Sequence, residues 1–142
     1  MGKRLIGSVG LAIAGGTPSP DTRTTSFVIA CSDETTALTT GTKVTFRLPF
    51  AFTVTEVRAS LTTAGTGANL VTVMFEQNGT DILSTAITID ATETTSTTAT
   101  TPPVISTSAL TDDASIDCDV DQRDSGGVSA GLKMYLIGYK TL

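Results

Sequence analysis

Apolar and polar residues alternate with a period of two over most of the chain after residue 24, which is typical of half-buried β-strands. The longest alternating stretch runs from Asn69 to Asp90 and carries Asn78-Gly79 near its middle. An Asn-Gly pair tolerates the positive φ angles that a type I′ turn requires. The stretch therefore predicts one long β-hairpin. Because an isolated hairpin is only marginally stable in water, we expect it at the centre of a larger sheet sandwich.

Shorter strands are predicted on both sides of this hairpin. In two of them the predicted inward-facing residues are Val44, Phe46, Leu48, Ile116, Cys118 and Val120. The alternation slips between Val54 and Val57, which predicts a β-bulge near Thr55-Glu56. About eight short strands separated by turns indicate an all-β fold, an antiparallel two-sheet sandwich of jelly-roll type over residues 25–142. The Thr-rich stretch Ala91 to Thr101 is predicted to be an edge strand or a solvated connector.

The composition supports the sheet prediction and narrows the chemistry. Threonine makes up about one residue in five, and this β-branched residue suits a half-exposed strand surface. A net charge of −5 argues against a nucleic-acid partner, which would require dense Lys and Arg. The chain has no histidine, which removes the Ser-His-Asp and Cys-His catalytic arrangements and most zinc sites. We therefore expect no catalytic residues and no enzymatic activity.

Two further motifs have structural and chemical interpretations. Asp124-Ser125-Gly126 matches the Asp-Ser-Gly triplet of aspartic proteases, but the polar residues before it indicate a solvated turn. The cysteines Cys31 and Cys118 lie at apolar strand positions, so two buried thiols are expected, with a disulfide as the alternative.

Residues 1–24 differ from the rest and are predicted to form an extended apolar N-terminal arm with a linker. The segment has the charge and small residues of a secretory signal, yet its apolar run is too short to span a bilayer. We expect the arm to pack on a neighbouring subunit or scaffold, and folding back on its own sheet is the alternative. Its predicted contact residues are Lys3, Arg4, Leu5, Ile6, Val9, Leu11 and Ile13.

Three carboxylates, Asp117, Asp119 and Asp121, alternate with apolar residues and are therefore expected on one outer strand face, about 7 Å apart. Like charges in a row destabilise a sheet unless something positive meets them. Three interpretations stay open: a solvated acidic face, a contact with the basic arm of a neighbour or with another basic surface, and a Ca²⁺ site, since Ca²⁺ prefers oxygen ligands.

Several segments together resemble a module common among the virion proteins of tailed phages. They are RLPFAFTVTEVRASLTTAGTGANLVTVMF, QNGTDILSTAITID, VISTSALTDDASIDCDVDQ and GLKMYLIGY, and the likeness covers roughly Lys43 to Lys140. The resemblance implies a jelly roll that assembles as a homotrimer. Such modules occur in capsid decoration proteins and in tail-fibre or receptor-binding tips.

The resemblance leads to a functional expectation. We expect a non-enzymatic capsid decoration or cement protein on the capsid surface of the virion, with the phage major capsid protein and its own copies as partners, and with no nucleic-acid or membrane partner. The alternative is a receptor-binding module of a tail fibre or spike that recognises a host surface polysaccharide. A third hypothesis, a secreted carbohydrate-binding or adhesion domain, would require residues 1–24 to act as a signal.

Overall fold

The computed structural model describes residues 23–142, and this part of the chain is almost entirely β-structure. No helix in it is long and apolar enough to cross a membrane. A single 3-10 turn, Ser96–Thr98, interrupts the strands of this described range. The strands in chain order are β1 Thr25–Ala30, β2 Gly41–Arg47, β3 Phe52–Ser60, β4 Val71–Gln77, β5 Thr80–Asp81, β6 Leu83–Thr85, β7 Ile87–Ile89, β8 Val104–Ile105, β9 Ala109–Leu110, β10 Ser115–Gln122 and β11 Lys133–Lys140.

The strands form two antiparallel sheets and a short ribbon. The first sheet has the order β1-β11-β3-β9, and the second has the order β2-β10-β4-β5, with β7 also paired to β4. Within residues 23–142, strands β6 and β8 pair only with each other. The first four strands alternate between the two sheets, as in a jelly roll. The predicted all-β sandwich is confirmed.

The core lies between the two sheets and is built from the inward residues of the alternating strands. The predicted inward residues Ile116, Cys118 and Val120 of β10 are at most 1% exposed. On β11, Met134 and Leu136 are fully buried in the same way. Four phenylalanines close one part of the core, and the rings of Phe27 and Phe52 meet edge to face with 5.1 Å between their centroids. Alternate residues of these strands thus pack between the two sheets, as the period of two predicts.

The central hairpin is confirmed at its turn and corrected on its second arm. Asn78 and Gly79 both have positive φ, 52° and 80°, as a type I′ turn requires. After Asp81 the chain leaves β4, pairs with β8 through β6, and rejoins β4 at Ile87. The detour buries Leu83, which is 3% exposed. Strand β4 is internal, whereas the second arm is short, interrupted and at the sheet edge.

The predicted bulge and the Thr-rich connector are also visible. Glu56 pairs with Ile137 and Val54 with Gly138, so Thr55 has no partner on β11. Only glycine fits opposite this bulge, because a Cβ on Gly138 would lie 1.9 Å from the Thr53 carbonyl oxygen. The Thr-rich stretch forms a connector rather than an edge strand, and it contains the 3-10 turn.

The two cysteines are both free and buried, as predicted. Cys31 is 6% exposed and Cys118 is fully buried in the same core cluster. A hydrogen bond with Cys31, together with burial, raises the pKa of the Cys118 thiol. These thiols are therefore core residues and are shielded from solvent.

We expect Phe52→Ala to lower the free energy of unfolding by about 3–5 kcal/mol, because it removes a fully buried ring from the aromatic part of the core. Urea unfolding followed by circular dichroism measures this change. Val128→Ala is the control, since Val128 is 45% exposed and its truncation should change stability by less than about 0.5 kcal/mol. Equal effects of the two substitutions would contradict the described core.

Candidate functional site

The outer face of the second sheet carries the predicted row of aspartates. Asp117 and Asp119 are half-buried and Asp121 is exposed, and they alternate with the buried residues of β10. The three carboxylates therefore lie on the side of β10 that faces away from the core. Asp121 sits at a register irregularity between β10 and β4, so its position in the row is less regular than that of the other two.

The structure adds two carboxylates that the sequence interpretation missed. Glu76 of β4 lies directly opposite Asp117 of β10 on one side and opposite Asp81 of β5 on the other. The three form a row across three neighbouring strands, and we call Asp81, Glu76, Asp117, Asp119 and Asp121 the acidic face. The Asn78-Gly79 turn could have revealed the pair of Glu76 and Asp81, because a two-residue turn sets the hairpin register. The pairing of β4 with β10 could not be predicted, because the two strands are far apart in the sequence.

The crowding of like charges changes the protonation of this face. A side-chain hydrogen bond with Asp119, burial, and repulsion from the neighbouring carboxylates raise the pKa of Glu76 to about 7. Asp119 Oδ1 is buried and accepts no hydrogen bond from the other described groups. In its protonated form, the Glu76 carboxyl can donate a hydrogen bond to Asp119. Burial, followed by the charges of Asp119 and Asp81, also raises the pKa of Asp121.

One hydroxyl group contacts the acidic face, whereas three basic side chains pair with other carboxylates. Thr45 Oγ1 donates a hydrogen bond of 2.5 Å to Asp117 Oδ1. Three basic side chains form ion pairs with carboxylates outside the acidic face: Arg47 with Asp113, Arg58 with Glu56, and Lys133 with Glu34. Lys43 donates to Thr39 and Thr40, and Lys140 lies over the ring of Phe50.

The calcium hypothesis is not supported by a ligand set in this region. Across residues 23–142, no group of three or more His, Cys, Asp or Glu side chains has an arrangement that could hold a metal ion. A strand pleat holds the acidic residues side by side, whereas a calcium site needs oxygens that converge on one point.

Asp124 of the Asp-Ser-Gly triplet lies in a buried loop anchor, and the predicted solvated turn is wrong for its carboxylate. It is 1% exposed and accepts hydrogen bonds from Thr66 N, Val128 N, Ser129 N and Ser129 Oγ. Burial alone would raise the pKa of Asp124, but these hydrogen bonds outweigh it and hold the pKa well below its usual range. Both carboxylate oxygens are thus used to join the loop around Thr66 to the loop before β11.

A groove absent from the sequence interpretation runs along the edge of β3 in the first sheet. This β3 groove has a volume of about 550 Å³ and is lined by Thr55–Arg58, Ser96, Thr97 and residues 102–105. Beside it lies a smaller pocket of about 250 Å³, which we call the Tyr135 pocket, where Ser60 Oγ and Tyr135 Oη are 2.9 Å apart. Tyr135 and Tyr139 are half-buried on the outer side of β11 and do not point into the core.

The predicted arm contacts lie outside the described residues. They are Lys3, Arg4, Leu5, Ile6, Val9, Leu11 and Ile13. Their predicted role stays a prediction.

Comparison with known proteins finds no matching family model, no matching curated protein and no matching solved structure.

The raised pKa of Glu76 predicts a stability that depends on pH. Between pH 4.5 and about 7 the folded state binds more protons than the unfolded state, so stability falls as the pH rises through this window. Asp121 adds to this trend because its pKa is also raised. We expect Glu76→Gln to raise the melting temperature at pH 8 and to flatten its decrease between pH 5 and pH 8. Thermal unfolding at several pH values tests this.

Asp112→Asn is the control for this pH profile, because Asp112 is exposed and carries one negative charge away from the acidic face. It should leave the slope between pH 5 and pH 8 as in the unsubstituted chain. An unchanged slope in Glu76→Gln would show that Glu76 does not hold a proton in the folded state.

We expect Asp124→Asn to destabilise the fold by roughly 1–3 kcal/mol, because an amide NH₂ then faces buried N–H donors that have lost their acceptor. Chemical denaturation measures the change, again beside Asp112→Asn. A stability equal to that of the control would contradict the anchoring role of Asp124.

Proposed function

We propose that the chain is a non-enzymatic structural protein of a phage virion, a decoration or cement protein that binds the assembled capsid shell. The observation that carries the proposal is the row of Asp117, Glu76 and Asp81, whose mutual repulsion a basic partner surface would relieve. The sequence resemblance to phage virion modules and the jelly-roll strand order support the same assignment.

The acidic face supplies an electrostatic docking surface in this proposal. Lys or Arg side chains of the shell would replace the proton on Glu76 as the partner of the carboxylates. Binding would then release a proton below pH 7, so affinity increases as the pH rises from about 5 to above 7. Added salt weakens the contact because it screens charges at the protein surface.

Shell stabilisation follows from mass action. A protein that binds only the assembled lattice lowers the free energy of that lattice by an amount that grows with its concentration and affinity. Many copies, arranged as homotrimers that their N-terminal arms hold together, stabilise the shell without catalysis. The stiff sandwich holds the acidic face in a fixed orientation for this contact.

The Tyr135 pocket supports the alternative, a receptor-binding module for a host surface polysaccharide. Its lining combines an aromatic ring with the hydroxyl groups of Ser26, Ser60 and Thr97. Aromatic faces and hydroxyl groups are the contacts that sugars use, so the pocket suits a short stretch of glycan.

Binding to purified shells tests the proposal. We expect the double substitution Asp117→Asn and Asp119→Asn to reduce the number of bound copies per shell, measured by quantitative mass spectrometry at pH 7.5 and low salt. Asp112→Asn should bind like the unsubstituted chain. Equal occupancy by the double variant would contradict a role for the acidic face, and inhibition of phage adsorption by soluble protein would favour the receptor-binding alternative.

A further inference from the structure

The edge of β3 that faces the β3 groove has a gap in its pairing. On this edge β9 pairs with Phe52 and Thr53, and Thr95 forms a bridge with Ser60. Among residues 23–142, no strand pairs with β3 between these two points on this edge. A strand edge without a partner is a template for an additional β-strand.

The pleat of β3 directs main-chain polar groups into this gap. Ala59 N donates away from β11 to Ser96 Oγ at 2.9 Å. Val57 is two residues earlier in a regularly paired part of β3, so its N–H and C=O point in the same direction. The Val57 side chain is only 3% exposed and belongs to the core, so Val57 lines the groove with its main chain. The floor of the groove is therefore a hydrogen-bonding strand edge.

A second wall of the groove is apolar. It consists of Pro102, Pro103, Val104 and Ile105, and Val104 is 50% exposed. The two prolines have no N–H groups, so they cannot donate hydrogen bonds to the carbonyl groups of an incoming strand. Those carbonyl groups remain available to pair with β3. At the rim, Glu56 and Arg58 neutralise each other through an ion pair of 2.6 Å. An uncharged strand with apolar side chains on one face fits these surroundings.

The chain itself contains a segment with this character. Val9, Leu11 and Ile13 alternate with Gly10 and Ala12, so an extended form has one large apolar face and one small face. The large face suits the proline and valine wall, and the small residues allow a close approach of the two main chains.

The connector between this segment and β1 favours a site on another molecule. Residues 14–22 span up to about 30 Å when extended, and Pro18 and Pro20 favour an extended form. In the first sheet β11 separates β1 from β3, so a strand added to the open edge of β3 lies about 14 Å from β1 in the plane of the sheet. An extended connector is about twice as long as this distance, which favours a groove on another molecule.

We infer that the β3 groove of one molecule binds residues 9–13 of a second copy as an added β-strand that pairs with Val57. This inference rests on the proposed function, in which the N-terminal arm holds copies together. Main-chain hydrogen bonds supply the pairing, and the apolar wall selects the segment, as in other cases of strand addition to a sheet edge.

The first test introduces a charge into the groove of the full-length chain. We expect Val104→Glu to raise the dissociation constant for self-association by about 30-fold, measured by analytical ultracentrifugation. Val128→Glu is the matched control, because Val128 is similarly exposed at 45% and lies outside the groove, so it should associate like the unsubstituted chain. Leu11→Glu should weaken association as Val104→Glu does, and it leaves residues 23–142 unchanged.

Hydrogen exchange provides an independent measurement. In the unsubstituted chain the Val57 amide should exchange slowly and in Leu11→Glu quickly, because the added strand protects it. Unchanged association in both glutamate variants, or a Val57 amide that exchanges equally in all variants, would overturn the inference.

Cross-linking decides between a second copy and the same chain. Leu11→Cys in one tagged chain and Val104→Cys in another should yield a disulfide-linked dimer after oxidation with oxidised glutathione, which forms one protein disulfide and two molecules of reduced glutathione. A single chain that carries both Leu11→Cys and Val104→Cys tests the alternative. If a disulfide forms only within this chain, and not between the two single variants, the second-copy inference is wrong.

Binding of Val104→Glu to shells keeps this inference separate from the proposed function. A variant that associates weakly with itself and still binds shells through the acidic face supports a groove for the arm. A variant that associates normally but no longer binds shells would assign the groove to the shell contact and overturn the inference, whereas failure of the aspartate variants alone concerns only the proposed function.

Discussion

The burial of one face of β10 specifies the register of the second sheet. This strand lies between β2 and β4, and its residues Ile116, Cys118 and Val120 fill the middle of the core. Because successive residues of a strand point to opposite faces, burying these three places Asp117 and Asp119 on the outside. Shifting β10 by one residue would turn the carboxylates into the core, so its register is strongly specified.

The acidic face is a consequence of that register. Repulsion among Asp117, Glu76 and Asp81 opposes folding, but the apolar core is extensive enough to hold the three strands together. Protonation of Glu76 relieves part of the repulsion, and Thr45 relieves another part through its hydrogen bond to Asp117. A basic partner would relieve the repulsion that remains. The same carboxylates therefore affect both the stability of the sandwich and the proposed binding of a shell.

The two candidate surfaces belong to different sheets. The acidic face lies on the outside of the sheet that contains β10, and the β3 groove lies along the sheet that contains β11. In the proposed assembly, the molecule contacts the lattice through one sheet and a neighbouring copy through the other. The detour of β6 to pair with β8 contributes to this division, because it places Val104 and Ile105 beside β3 as one wall of the groove.

The local features follow from the residue pattern alone: the strand class, the Asn78-Gly79 turn, the bulge at Thr55 and the inward residues of β10. Each of these depends on a period of two or on a turn, and both are properties of a few neighbouring residues. Three other features became visible in the tertiary structure: Asp117 lies beside Glu76, the second arm of the hairpin leaves β4, and the main chain of Val57 faces an open groove. Those features depend on which distant strands become neighbours, and that is set by packing two sheets around one core rather than by local pattern.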